Sequence, residues 1–571
     1  MPTRAALPLL AAADARAADA AAIAAGDPAH VLMARAAGHL ARTVVAAAGR
    51  GAGLRVDVVV GRGDNGGDGW AAAPLLAARG AHVRVVAPDG TDVATSEAAA
   101  AARARWIAAG GAVRTGRVAD VLLDVDGRAR ADVVVDCLLG TGASGPLRGS
   151  VVEAAAAVDA ARSGGAVVVA CDVPSGVHAD DGTVADGAVV ADVTVTFGAL
   201  KRGLLLAPAS AHCGRVHVGA IGERFADAAR ELAPADGRRW WTLTTDGVRP
   251  DAPDPHDEKR RRGVVLVVAG RVGTAGAAVL AGRGALAAGA GLVTLAVPDP
   301  VRAEVAAMHP ALMTVGLPAD TDGGVHADAV HALPLDGVDA VVAGPGLGTG
   351  RGAADVVAAL RRGQPRLVLD ADALNVHRGA SDTLADHPDG ATLVLTPHAR
   401  ELDRLAGAGT SAQRALRVPE LAARWGAHVV AKGPGTLSAA PDGCVHVSPF
   451  AVPALATGGT GDVLAGMLGA ALARRDPDPA RTVARTVWWH AAAGTLAGLR
   501  SGGRTDATGL LDALPGLFAL LGGADGAAAG SRPTVRDPGP RGRTVLDDLL
   551  LGPLLGTLLE RSPLAHTPDA P

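Results

Sequence analysis

The chain has no tyrosine and only four phenylalanines in 571 residues. With so few rings, any core must be packed by Val, Leu and Ala, for which a hydrophobic content of 49% is sufficient. Cysteine is equally scarce. Cys137, Cys171, Cys213 and Cys444 form no C-x-x-C pair, which argues against a zinc site or a disulfide framework and for a reducing, cytoplasmic setting. No apolar run of about 18 residues has bilayer character, and Arg4, Asp14, Arg16 and Asp19 do not suit a secretory leader. A net charge of −4 gives no footprint for nucleic acid or a membrane surface. The 77 glycines follow no Gly-X-Y period, so with the surplus of alanine they reflect coding bias, not a fibre.

What is present is a rhythm. After an Ala-rich helical stretch to about residue 50, short β-branched runs alternate with Ala-rich segments: Val56–Val60, Val83–Val86, Val133–Val135, Val167–Val169, Val193–Thr196 and Val216–Val218. A second series follows at Val264–Ala269, Leu292–Val297, Ala340–Ala343, Leu367–Leu369, Leu393–Leu395, Val429–Ala431 and Val445–Val447. Strands alternating with helices predict mostly parallel sheets, and the length predicts two domains. The Pro- and charge-rich stretch around 250–262 separates the series. The expected organisation is a domain over 1–240, a linker over 241–262, a second domain over 263–523 and a disordered tail over 524–571. A leucine-rich piece at Leu549–Leu559 could form a lone amphipathic helix.

Three segments of the first half should meet at carboxyl ends of parallel strands, where open α/β sheets bind ligands. They are the acidic glycine loop Asp64-Asn65-Gly66-Gly67-Asp68-Gly69, the stretch from Asp136 to Gly140-Thr141-Gly142, and Asp172-Val173-Pro174-Ser175-Gly176. The amide of Asn65, the carboxylate of Asp136 and the oxygen of Ser175 suit a hard monovalent or divalent cation. For one such loop alone, a glycine turn with an acidic cap explains the residues as well; three at successive strand ends weaken that explanation. The Rossmann G-x-G-x-x-G pattern with its distant acid is not reproduced.

Together with Met33-Ala34-Arg35-Ala36-Ala37 and Ala191–Gly198, these segments resemble the NAD(P)H-hydrate epimerase family across 10–225. The resemblance implies a potassium ion at Asn65, Asp136 and Ser175. It also implies hydrated NADH or NADPH bound along Asp64, Asn65, Gly66, Gly67 and Asp68, along Gly140, Thr141, Gly142, Ala143, Ser144, Gly145 and Pro146, and at Asp172. Asp172 is the carboxylate chosen for acid–base work. Asp64 stands where the family often has Asn, which changes the charge of the loop and not its geometry.

In the second half, Thr457-Gly458-Gly459-Thr460-Gly461-Asp462 opens an apolar helix, presenting amides to phosphate and a carboxylate able to take a proton from an attacking hydroxyl. Upstream, Lys432-Gly433-Pro434-Gly435-Thr436 offers a cation, amides and a hydroxyl; no Walker motif is present. With Gly276-Ala277, Gly344-Pro345-Gly346, Leu369-Asp370-Ala371-Asp372 and Thr396-Pro397-His398, this region resembles the ribokinase-like superfamily, and within it the NAD(P)H-hydrate dehydratase branch, over about 262–520. The implied fold class is α/β with two doubly wound domains, an N-terminal Rossmann-like three-layer sandwich and a C-terminal ribokinase-like domain. By family position, Ala277, Gly346, His398 and Asp462 contact the hydrated dinucleotide. Lys432, Gly433, Pro434, Gly435, Thr436 and Gly461 hold ADP, and Asp462 is the catalytic base. After His398 this chain reads Ala399-Arg400-Glu401 where many members read Pro-Gly-Glu. Mg2+ is expected with the nucleotide, and a homo-oligomer is expected. Two other readings share some of these features: a small-molecule kinase with a fused binding domain, and a scaffold on a degenerate epimerase-like fold.

Overall fold

A computed structural model of the protein describes residues 5–88, 95–252 and 254–522; the tail expected over 524–571 and its leucine-rich piece lie outside the described residues. The chain forms two compact units, one of Leu7–Trp240 and one from Trp241 onward that also takes in Ala6.

The first unit contains β1 (Ala6–Leu10), β2 (Arg55–Val60), β3 (His82–Ala87), β4 (Ala112–Thr115), β5 (Val133–Cys137), β6 (Val167–Cys171), β7 (Val193–Phe197), β8 (Leu200–Lys201) and β9 (Arg215–Gly219). Seven of them make a parallel sheet in the order β4-β3-β2-β5-β6-β7-β9. Alternate valines serve opposite faces. Val56, Val58 and Val60 pack with the helices Ala29–Ala48, Asp64–Ala77 and Glu97–Ala108, while Val59, Val134 and Val168 pack with the helix Ser150–Ser163. Burial on both faces is why these strands read as unbroken valine runs. The order reverses between β2 and β5, the place where open α/β sheets bind ligands in a crevice. Outside this sheet, β1 and β8 pair in parallel with Leu10 opposite Lys201.

In the second unit, β11 (Val264–Val268), β12 (Leu292–Pro298), β13 (Met313–Leu317), β14 (Ala340–Ala343), β15 (Arg366–Leu369), β16 (Thr392–Leu395), β17 (His428–Ala431), β18 (Leu437–Ala439) and β19 (Cys444–Val447) follow β10 (Arg239–Leu243), which carries the chain across the division. They run in the order β13-β12-β11-β14-β15-β16-β17-β18-β19, parallel as far as β17 and antiparallel after it. The reversal lies between β11 and β14. Over the sheet cross two helices, Ala275–Ala287 and Thr460–Ala473. Their backbones touch: a methyl group at Gly284 would collide with the Val463 carbonyl, and one at Gly466 with the Ala281 carbonyl.

Within the stretch read as a linker, Leu243 and Val248 are buried and the Val248 carbonyl accepts a 2.6 Å hydrogen bond from Trp489 Nε1. The described residues from 254 to 262 are exposed.

Candidate active sites

The first crevice is assigned to the carboxyl ends of β2 and β5, where the strand order reverses. The chain turns sharply after β2, with the Gly61 amide donating to the Cys137 carbonyl at 2.9 Å. The helix Asp64–Ala77 then begins at once. Asp64 to Gly69 therefore begins a helix and is not the loop their composition predicts. Glycine disfavours a helix by about 1 kcal/mol per residue, but here bare backbone is what fits. A methyl at Gly66 would collide with the Gly61 carbonyl, and one at Gly67 would stand 2.8 Å from both Met33 and Ala99.

This seating places Asn65 beside the β5 loop. Its Nδ2 donates to the Leu139 carbonyl at 2.9 Å, while Oδ1 is buried and receives no hydrogen bond. Asp136, fully buried at the end of β5, accepts from the Ser175 hydroxyl at 2.7 Å, the Ser175 amide at 2.8 Å and the Leu138 amide at 3.1 Å. The Ser175 oxygen in turn accepts from the Leu139 amide at 3.0 Å. Burial raises the Asp136 carboxyl above its ordinary range, against the opposing effect of these donors. Gly140 packs against Asn65, with room for a Cβ only 3.1 Å from the Asn65 Cβ. From Thr141 to Pro146 the chain runs along the surface.

Asp172 directly follows β6 in the left-handed region, at φ 63°. Its Oδ1 is gripped by Lys201 Nζ at 2.6 Å, Thr196 Oγ1 at 2.9 Å and the Phe197 amide at 3.3 Å. Lys201 Nζ also donates to the Phe197 carbonyl at 2.8 Å. Two more carboxyls share this field. Burial, then the negative charges of Asp172 and Asp64, hold Asp68 well above the carboxylate range. Asp19, from the helix Ala12–Ala24, is pushed by burial up to about 6, with Lys201 opposing and Asp172 and Asp64 adding. Asp64 itself accepts from Ser96 Oγ at 2.5 Å.

Lys201 and Asp19 were not singled out from sequence. One signal existed for the first: of 54 basic residues, only Lys201, Lys259 and Lys432 are lysine. Lys201 and Lys432 stand in the two crevices.

The second crevice repeats the logic. The Gly270 amide after β11 donates to the Pro345 carbonyl after β14 at 2.8 Å. Thr274, just before the helix Ala275–Ala287, donates from Oγ1 to the Gly346 carbonyl at 2.7 Å, and an added Cβ at Gly346 would meet that of Ala277 at 3.0 Å. Ala277 and Gly346 are thus brought together. His398 caps the helix Ala399–Ala406: its Nδ1 accepts from the Arg400 and Glu401 amides at 3.1 and 3.3 Å. Nδ1 is therefore the unprotonated nitrogen. Burial, with Lys432 and Arg404, keeps the ring neutral by lowering its pKa. Glu401, buried and raised by that burial, closes the capping box at 2.8 Å on the His398 amide.

Lys432 does not reach freely outward. Its Nζ lies 2.7 Å from Asp370 Oδ1, which also accepts from Thr396 Oγ1 at 2.7 Å. A Cβ at Gly461 would stand 3.2 Å from that ammonium. Burial alone would depress the lysine, but Asp370, Glu401 and Asp462 together hold its pKa above the ordinary value. The loop 433–436 closes on itself through Thr436 Oγ1 donating to the Gly433 carbonyl at 2.8 Å. At the start of the helix Thr460–Ala473, no side chain caps the first amides, which leaves them available to an anion. Asp462 stands in this first turn. Burial first, then the charge of Asp370, push its carboxyl up to about 7, with Lys432 opposing.

A family model described as NAD(P)H-hydrate dehydratase matches residues 265–516, and one described as YjeF-related protein N-terminus matches residues 29–203. Over 457 residues the chain is 37% identical to the bifunctional NAD(P)H-hydrate repair enzyme Nnr of Salinibacter ruber, covering 74% of this chain and 82% of that one. It is 39% identical over 458 residues to the protein of that name from Mycobacterium tuberculosis, covering 78% and 85%. Among solved structures, the ADP/ATP-dependent NAD(P)H-hydrate dehydratase from Bacillus subtilis, co-crystallised with ATP/Mg2+, is 29% identical; the match covers 49% of this chain and 97% of that one, at a TM-score of 0.42.

Proposed function

The chain belongs to the family of bifunctional NAD(P)H-hydrate repair enzymes, and from that premise we propose how its two crevices divide the work. The Leu7–Trp240 unit interconverts the R and S forms of hydrated NADH and NADPH. The unit from Trp241 onward dehydrates the S form with ADP, releasing AMP and phosphate.

Dehydration needs a poor leaving group made good. Asp462 takes the proton of the substrate's C6 hydroxyl as that oxygen attacks the terminal phosphoryl group of ADP. The uncapped amides of the first turn and the Lys432 ammonium stabilise the charge on the transferred phosphoryl. Mg2+ enters with the nucleotide as part of the co-substrate. Phosphate then departs from C6 and a proton is lost from C5 to solvent, which restores the dihydropyridine ring. The observation that carries this reading is the Asp462 carboxyl, poised at about 7 in the first turn of an uncapped helix beside a lysine.

In the epimerase crevice, Asp172 offers Oδ2, which accepts no hydrogen bond from the described residues, while Oδ1 is locked by Lys201 and Thr196. A potassium ion at Asn65, Asp136 and Ser175 fits the donor set. Asn65 Oδ1 is buried without a donor, and Asn65 is tied to Asp136 through Leu139 and Ser175. Such an ion would bind the ends of β2, β5 and β6 together and steady the substrate loops. Among the described residues no helix is long and apolar enough to cross a membrane; a cytoplasmic, homo-oligomeric enzyme is part of the proposal.

A kinase of the same superfamily would use the second crevice and leave the first without a purpose. The deciding experiment incubates the purified chain with hydrated NADPH, with and without ADP, and follows the absorbance of reduced nicotinamide. Recovery that requires ADP and consumes both epimers is the expected result. A chain that restores no absorbance would overturn the reading.

A further inference from the structure

Asp370 lies among the loops of the dehydratase crevice. It is 1% exposed, at the end of β15. Its Oδ1 joins three adjacent strand ends: its own, that of β16 through Thr396, and that of β17 through Lys432. The next residue, Ala371, sits at φ 49°, turning the chain away so that this carboxylate remains behind. A Cβ on Gly461 would lie 3.8 Å from Asp370 Oδ2 and 3.2 Å from Lys432 Nζ. The pair therefore stands against the first turn that carries Asp462.

An ammonium so placed feels two carboxylates, Asp370, with which it pairs, and Asp462 in the adjoining first turn. If it paired with Asp462, that group would become an anion already bound and a weaker base. We propose that Asp370 is a positioning residue of the dehydratase: it seats the Lys432 ammonium against the start of the Asp462 helix and supplies the counter-charge that keeps this ammonium from pairing with Asp462. Lys432 can then face the transferred phosphoryl group while Asp462 stays free for the hydroxyl proton. Other charged or titratable groups around the pair are Asp372, Glu401, His398, Arg404 and, across the Thr460 carbonyl, His490. Of these, Asp372 and Glu401 add negative charge against Asp462. His490 is held neutral by burial, at about 4.

The inference rests on the dehydratase reading, and its test separates the two. The wild-type chain is first shown to dehydrate hydrated NADPH with saturating ADP, and the acid limb of kcat/KM is then recorded for two variants and for their combination. In Asp370→Asn the shape is kept and the counter-charge lost. Lys432 turns to Asp462, so the limb moves down by about one pH unit and kcat on the plateau falls. In Lys432→Met the ammonium is lost and two carboxylates face each other, so the limb moves up by a similar amount. Opposite displacements, with the downward one lost when Asp370→Asn is combined with Lys432→Met, support the inference; if Asp370→Asn does not fold, the same measurements are made with Asp370→Ser. A limb that stays in place, or moves in the same direction in both, overturns it. Loss of the Asp370 charge alone would lower the limb equally with or without Lys432, so an Asp370→Asn displacement that persists undiminished in the Lys432→Met background overturns the inference.

Discussion

Lys201 Nζ lies 2.6 Å from Asp172 Oδ1, and neither side chain is more than 16% exposed. Removing one partner of such a pair strands the other's charge, at a cost of about 3–5 kcal/mol when fully buried. Lys201→Met is expected to abolish epimerisation and lower the melting temperature of the first unit. Dehydration of pure S epimer should continue. Asp172→Asn should give the same loss of activity with a smaller loss of stability, because the amide still accepts from Thr196. Chiral separation of the epimers during turnover, with differential scanning calorimetry, checks both; normal clearance of the R epimer by Lys201→Met would refute the role assigned to the pair.

Asp462→Asn should stop dehydration and leave epimerisation untouched. In the wild-type chain, dehydration should fall as pH drops through about 7, because protonation removes the base. Stability should run the other way. A carboxyl raised from 3.8 to about 7 on folding favours the folded state below pH 3.8, and that contribution is lost as pH rises to about 7. Asp462→Asn should therefore raise the melting temperature at pH 8 relative to wild type, and by less at pH 5. Equal differences at the two pH values would count against a raised Asp462.

Gly466→Ala should separate the two helices that touch at Gly284 and Gly466. The methyl meets a carbonyl on a buried backbone, so relief requires a helix shift, and overpacking of this kind costs about 1–3 kcal/mol. Urea unfolding should show the loss, and dehydration should drop because Asp462 sits one turn away on the same helix. A variant with unchanged midpoint and rate would show that the contact is slack.

Replacing potassium by a large organic cation should slow epimerisation and not dehydration. Asn65→Ala should lose that potassium response while keeping the fold of the first unit, since only one 2.9 Å hydrogen bond goes with the side chain. Rates measured in matched chloride salts test it; a potassium response that persists in Asn65→Ala would remove Asn65 from the ligand set.

Much of the fold was legible because the central strands are buried on both faces. Such strands have to be valine runs, and the runs at Val56–Val60 and Val133–Val135 differ from the observed β2 and β5 only at their ends. The strands that went unread lack that signature. β13 is half-buried, β18 is three residues long, and β1 hides in an Ala-rich stretch that otherwise folds as helix. The Asp64–Gly69 segment misled for a different reason. Its residue types favour turns, and the sequence does not report the crowding at Gly66 and Gly67 that admits only glycine in this helix. At the sites, motif residues could be found one at a time, but the pairs Lys201–Asp172 and Lys432–Asp370 join residues 29 and 62 positions apart. No local pattern reports such a pairing.

The near-absence of lysine has a practical consequence for chemical modification. Lys201 is sealed inside its unit, and Lys432 is held protonated by surrounding carboxylates and so is a poor nucleophile. Among the described residues, only Lys259 presents an exposed primary amine. An activated ester or isothiocyanate should therefore place a dye or a surface tether at Lys259 and the terminal amine and at no other lysine, without any engineered attachment point.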